Sequence, residues 1–408
     1  LAGRDVTLAI PMPPGSGSGH RLTVELLDAA GAVADSRPCY VRAVRPGKRC
    51  YLQLISFYTK PLGALRAEEL AVLNDSAYQG VSVPLLGSYS TEAVPALESL
   101  LPAAQALRDA SRLDLWPWVS LNRMIGSSPT AAAHTSAAQA REQEYFRRIR
   151  GLDLGNEAGA RADFLAEWRL AVRLARTWRA PGVTVDFEAY NDYSAYQVPA
   201  VAEKRGESVE QVIGACRALG AEMAMVIGAE YPGCIVWSLF SRLEHRQVLP
   251  GSAEGLLTTP SYITLGLLEY ARDQRVPLRY LCGGETTPGY CSRDLADLQT
   301  KIRRREVDLA PYLERFPDHF DLAGTVSPFH DFGLTTGWIR KGYENSSFRT
   351  LPDQEPLFRT LFDAYDWVWI YASSAARTEP YTPANNRLYT EVFARVLQAS
   401  LDGTPPAR

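Results

Sequence analysis

Residues 182–190 read Gly-Val-Thr-Val-Asp-Phe-Glu-Ala-Tyr, an apolar strand that runs straight into two carboxylates spaced i, i+2. Strand periodicity puts Asp186 and Glu188 on one face and Phe187 on the other. The stretch lies between two amphipathic helical segments, 162–178 and 208–230. Ser208 reads as the N-cap of the second, whose Val212, Ile213, Cys216 and Leu219 recur at helical spacing. A short buried-type strand framed by helices is one βα unit, and the unit repeats outward in both directions. Eight strands are predicted, at 52–57, 80–85, 113–121, 183–187, 235–240, 278–282, 322–326 and 367–371, with another helix over 261–273. Over residues 49–408 this alternation predicts an α/β fold, a (β/α)8 TIM barrel with insertions. A doubly wound sheet uses the same alternation. The chain has no glycine-rich phosphate loop of either standard spacing, which favours the barrel and weakens nucleotide binding.

Residues 1–48 follow a different rhythm. Short alternating runs at 6–10, 20–27 and 39–44, broken by Pro, Gly and Ser and by a turn near Ala30-Gly31, predict a small antiparallel β-domain or partial β-sandwich. Arg45-Pro46-Gly47-Lys48 is the expected hinge. The piece is either a carbohydrate-binding remnant or a brace for the barrel. The chain opens on Leu1 in a run that reads like the interior of a domain, so a processed or trimmed product is expected.

Bulk composition narrows the partners. A formal net charge of −3 gives no reason to expect nucleic acid or an anionic membrane surface. No apolar run is read as reaching the roughly 20 residues of a bilayer span. Six cysteines without a Cys-x-x-Cys pair, and five histidines without ligand spacing, suggest neither a metal nor a cofactor. Cys282 with Cys291, or Cys39 with Cys50, are possible disulfides, and six reduced thiols is the alternative. The 8 Trp and 20 Tyr hint at a cleft that stacks flat, amphipathic ligands such as sugars, in a secreted or periplasmic setting.

In a barrel, chemistry gathers where strands end, so the polar groups at each strand end are the candidates. Strand one leads to Tyr58, strand three carries Trp118 and leads to Asn122, and strand four leads through Asp186 and Glu188 to Tyr190. Strand six delivers Glu285 after two glycines, strand seven leads to His330 and Asp331, and strand eight carries Trp369 and Tyr371. The three tryptophans Trp118, Trp367 and Trp369 are candidate sugar platforms, although outward packing against a helix is the commoner fate of a barrel-strand Trp. Two like charges as close as Asp186 and Glu188 raise at least one pKa, which lets a carboxylic acid keep a proton near neutral pH. Glycosidic cleavage needs such an acid and a second group at the oxocarbenium-like centre. The alternative for the pair is a salt-bridged strand end, and for Glu285 a loop acid capping nearby amides. Glu222, Glu230 and Glu269 fall in helices, and the sequons at Asn74 and Asn345 carry little weight.

The stretch 181–188 resembles the strand-four signature of family-18 chitinases and their relatives, Asp-Gly-x-Asp-x-Asp-x-Glu. Gly182 matches the glycine, Asp186 the last aspartate, Phe187 the aromatic position and Glu188 the catalytic acid; Pro181 and Thr184 replace the other two aspartates. The resemblance implies a glycosidase-type barrel in which Glu188 protonates the leaving oxygen and Asp186 orients or tunes. It does not name chitin as the substrate. Retaining barrel glycosidases of the commonest kind place a second Glu after strand seven; here that position offers His330 and Asp331, and Glu285 after strand six is the available second acid. The expectation is a glycoside hydrolase with a carbohydrate substrate. A non-catalytic carbohydrate-binding barrel, or a metal-assisted hydrolase or lyase using Asp186, Glu188 and Glu285 as oxygen ligands, are the alternatives.

Overall fold

The computed structural model describes residues 20–28, 30–41, 50–56, 61–71, 73–86, 93–121, 154, 159–188, 193–241, 243, 246–247, 256–284, 292–326, 351–372 and 383–401. Two strands, β1 (His20–Leu27) and β2 (Val33–Val41), pair antiparallel as a hairpin. Its turn is held by Asp28, whose Oδ1 accepts the N–H groups of Ala30 and Ala32, with Gly31 in the left-handed region at φ 82°. The strand expected at 6–10 lies outside the described residues, so the described part of the predicted β-domain is this hairpin alone.

The barrel strands follow: β3 (Tyr51–Ser56), β4 (Gly80–Pro84), β5 (Asp114–Ser120), β6 (Gly182–Asp186) and β7 (Ile235–Ser238). Two short antiparallel strands, β8 (Arg246–Gln247) and β9 (Leu256–Leu257), lie in the connection after β7. Then come β10 (Arg279–Cys282), β11 (Phe320–Leu322), β12 (Gly324–Val326) and β13 (Trp367–Ala372). The sheet order is β11-β10-β7-β6-β5-β4-β3-β13-β12, parallel throughout. Its two ends, β11 and β12, are halves of one strand interrupted at Ala323. The sheet therefore closes on itself with eight staves, and the fold is a (β/α)8 barrel.

Each stave is followed by a helix: α1 (Ala67–Ala71), α2 (Leu97–Ala110), α3 (Ala160–Trp178), then α4 (Val198–Arg205) with α5 (Val209–Glu230), α6 (Thr259–Gln274), α7 (Leu295–Arg315), α8 (Leu351–Ala364) and α9 (Pro383–Leu401). Ser208 caps α5 with a reciprocal capping box, its Oγ accepting from Gln211 N at 3.2 Å while Gln211 Oε1 accepts from Ser208 N at 2.7 Å. By length and composition alone α5 is apolar enough to cross a membrane, with a mean hydropathy of 1.5, although Glu210, Arg217, Glu222 and Glu230 interrupt it. In the fold it belongs to the outer ring. Gly220 seats against the backbone of Ile263 and Leu267 in α6, and Gly266 of α6 seats against Arg217, so the two helices cross almost backbone to backbone. Apolar residues on more than one side of α5 follow from burial against both the barrel and α6.

Two apolar cores result. The outer one lies between staves and helices and includes Val81, Val83, Val119, Val183, Val185 and Phe187, packed with side chains such as Phe164, Trp168 and Ile263. The inner one takes the alternate residues, Ile55, Trp116, Trp118, Trp237, Leu239, Leu281, Ala323, Trp369 and Tyr371. Side-chain alternation makes this second set the lumen. Cross-lumen contacts confirm it: Ser82 of β4 and Thr184 of β6 are 2.9 Å apart although β5 lies between their strands.

Candidate active site

All staves run parallel, so their C-terminal ends form one rim, and β6 brings Asp186 to it. At the opposite end Gly182 is required by packing, because a Cβ there would collide with the backbone of Ile235 in β7. Phe187 turns into the outer core, and Asp186, two positions after the lumen-facing Thr184, faces the lumen.

Asp186 is 2% exposed and Glu188 is half-buried. The Glu188 N–H donates to Asp186 Oδ1 at 2.9 Å, so the first carboxylate fixes the turn that presents the second. Burial pushes the Asp186 carboxyl up to about 7, against the opposing pull of the Glu188 amide. The sequence suggested like-charge repulsion as the cause; the dominant one is loss of water.

Directly beneath this pair the lumen carries neutral polar side chains. Gln53 of β3 donates through Nε2 to Ser82 Oγ at 2.7 Å and to Thr184 Oγ1 at 2.9 Å. All three side chains are fully buried. The Thr184 that departs from the chitinase-like pattern is therefore one corner of a neutral triad directly beneath Asp186. Sequence reading passed over Gln53 and Ser82. The available signal was a polar residue at alternate positions inside otherwise apolar staves, Leu52-Gln53-Leu54 and Val81-Ser82-Val83.

Trp118, Trp369 and Tyr371 also turn into the lumen and pack together with Leu239 and Leu281. Trp369 is wholly buried and its Nε1 donates to Gly283 O at 3.1 Å, tying β13 to the end of β10. These three side chains form a floor under the rim. Tyr58, Asn122, Tyr190, Glu285, His330 and Asp331 follow the same stave ends in sequence and lie outside the described residues. So do Cys291 and the side chain of Cys39; Cys282 Sγ lies 3.0 Å from Ser241 Oγ. Among the described residues no three His, Cys, Asp or Glu side chains group as a metal site would need.

No protein-family model matches the chain, and no curated protein matches it. Solved structures similar to it include a sugar phosphate isomerase/epimerase from Parabacteroides distasonis, 10% identical over 84% of this chain and 96% of that chain, with a TM-score of 0.41. A family 5 xyloglucanase from Paenibacillus pabuli is 8% identical over 87% of this chain and 99% of that chain, with a TM-score of 0.43. A GH18 chitinase from Pseudoalteromonas aurantia is 9% identical over 84% of this chain and 99% of that chain, with a TM-score of 0.37. Likeness at this level says nothing about chemistry.

Proposed function

We propose that this chain is a glycoside hydrolase that cleaves an oligo- or polysaccharide at the C-terminal mouth of the barrel. The observation that carries the reading is the Asp186–Glu188 pair, with Asp186 buried at the rim, its carboxyl at about 7, and Glu188 held at the edge of the opening by a bond to it. Glu188 is the general acid: its carboxyl proton passes to the glycosidic oxygen as the bond from that oxygen to the anomeric carbon breaks. Asp186 positions Glu188 and, while protonated, adds no charge beside it. Glu285 supplies the second carboxylate. At about 5 Å from Glu188 it attacks the anomeric carbon and the reaction retains configuration; at roughly 6.5–9.5 Å it takes a proton from water and the reaction inverts. Trp118, Trp369 and Tyr371 form the floor below the sugar, while Tyr58, Asn122, Tyr190, His330 and Asp331 contact it from the rim. The reaction takes no metal or cofactor, and residues 1–48 form a small β-domain beside the barrel.

The test is a screen of wild type and Glu188→Gln against a polysaccharide panel, reading product by chromatography and binding by calorimetry. Wild type is expected to release oligosaccharides. The variant is expected to lose at least about 10³-fold in kcat while keeping its melting temperature and its affinity. Binding without product in the wild type identifies a carbohydrate-binding barrel instead, and chelator-sensitive turnover identifies metal-assisted chemistry.

A further inference from the structure

Three arginines stand together in α7, Arg303, Arg304 and Arg305, and only Arg305 falls at helical spacing with Leu298, Ile302, Leu309 and Tyr312. Arg303 and Arg304 are exposed, whereas Arg305 joins Leu298, Ile302, Leu309 and Tyr312 on the buried face and is itself 2% exposed. A guanidinium taken out of water costs several kcal/mol, roughly, unless its donors are engaged. Nη1 of Arg305 donates to Ala323 O at 2.7 Å and Nη2 to Cys282 O at 2.6 Å, and its Cζ lies 5.6 Å from the centre of the Tyr365 ring.

The two carbonyls belong to neighbouring staves, one at the end of its stave and one in the middle. Cys282 is the last residue of β10, and Ala323 is the interruption between β11 and β12. Ala323 N also donates to Cys282 O at 2.9 Å, so one fork of donors joins the exit of β10 to the break at which the sheet closes. Just beyond, Gly283 N donates to Ser238 O at 2.7 Å and Gly283 O accepts from Trp369 Nε1 at 3.1 Å. Gly284 has φ 64°, and a Cβ there would collide with the Arg305 guanidinium. The Gly283-Gly284 pair is thus held by an indole from the lumen and by a guanidinium from the helix layer. The next residue in the chain is Glu285.

We propose that Arg305 is a positioning residue for the mouth, a buried guanidinium that sets the direction in which β10 delivers the chain to the reacting end. This rests on the reading of the mouth as a glycosidase site. A guanidinium that only glued α7 to the barrel would loosen the whole molecule when removed. A positioning guanidinium loosens two segments and lowers turnover.

The experiment compares full-length wild type, Arg305→Lys, Arg305→Met and Gly284→Ala by hydrogen–deuterium exchange mass spectrometry and by steady-state kinetics on the best glycan of the panel. Lysine keeps the charge but cannot span two carbonyls with a planar fork. In both Arg305 variants, peptides over 279–284 and 320–326 are expected to exchange about 10-fold faster, the scale of one charge-assisted bond, while β4 and β5 keep their wild-type protection. Gly284→Ala is expected to give the same local pattern with Arg305 in place, which covers the case in which Arg305→Met does not fold. Turnover is expected to fall by about 10-fold or more in kcat with KM changed less than about 3-fold. Wild-type exchange at both segments overturns the proposal, as does faster exchange spread evenly over all staves. Loosened segments with unchanged kcat overturn the positioning role. If wild type cleaves no glycan, the glycosidase reading fails, and the exchange pattern still decides whether Arg305 holds the exit of β10 to the break at Ala323.

Discussion

At the N-terminal end of the lumen, Tyr51, Trp116, Trp237 and Trp367 pack ring against ring, with centroids 4.9 to 6.5 Å apart. Tyr51 OH links two neighbours, donating to Asp114 Oδ2 at 2.8 Å and accepting from Trp116 Nε1 at 2.9 Å. At the C-terminal end the same eight staves finish in a buried carboxyl held at about 7, a second acid at the rim, two glycines and a buried guanidinium. One end maximises apolar area. The other retains a group whose charged form is costly where it sits, as sites that bind or react do. Between them the Gln53–Ser82–Thr184 triad is a neutral layer that brings no fixed charge up against Asp186.

The contrast is broken most severely by Trp116→Ala. Removing a fully buried indole and the contacts it makes with three other aromatic rings is expected to cost about 3–5 kcal/mol, seen as a lower urea midpoint with an unchanged slope. A loss below about 1 kcal/mol there means that the aromatic end is not the stabilising one.

Asp186→Asn should act in the opposite sense and only above acid pH. Unfolded, the aspartate gives up its proton near its ordinary value of 3.8; folded, it keeps it until about 7. Between those values the native state binds more protons, so wild-type stability falls as pH rises across the window and levels off above it. The asparagine variant lacks this slope. The two proteins are expected to unfold alike near pH 3 and to diverge toward pH 8, where the variant is more stable by at most about 4 kcal/mol. Its amide oxygen still accepts the Glu188 N–H, so a parallel pair of pH curves is evidence against a buried, proton-holding Asp186.

The smallest effect is expected from Tyr51→Phe. The ring stays and the hydroxyl goes, leaving Asp114 and Trp116 each short of one partner, at a cost of about 1–2 kcal/mol. Burial first, and then the charge of Asp114, hold the Tyr51 hydroxyl well above its usual range, so it stays a donor at any working pH and the cost should not vary between pH 5 and 9. A pH-dependent loss means that this end titrates too.

Much of the scaffold was legible because strand and helix periodicities are local. The stave predicted at 183–187 is β6 (Gly182–Asp186), that at 367–371 is β13 (Trp367–Ala372), and Ser208 does cap the helix that follows it. Asp186 and Glu188 stood out because two acids at the end of an apolar run break the pattern around them. What periodicity cannot supply is which face becomes lumen. Trp118 and Trp369 read as platforms or, more commonly for a barrel-strand Trp, as outward packing, and only closure through Ala323 turns them inward. The same closure brings Gln53, Ser82 and Thr184, separated by as many as 131 positions, within hydrogen-bond distance. The partners of Arg305 were hidden for the same reason, since Cys282 and Ala323 lie on the two staves that flank α7 in the chain. The sequence alone determined the order of the elements and the acids at the end of one of them, because both are written in adjacent residues. The tertiary structure decided which of those residues share a dry interior, because burial and hydrogen bonding depend on what closure of the sheet brings together.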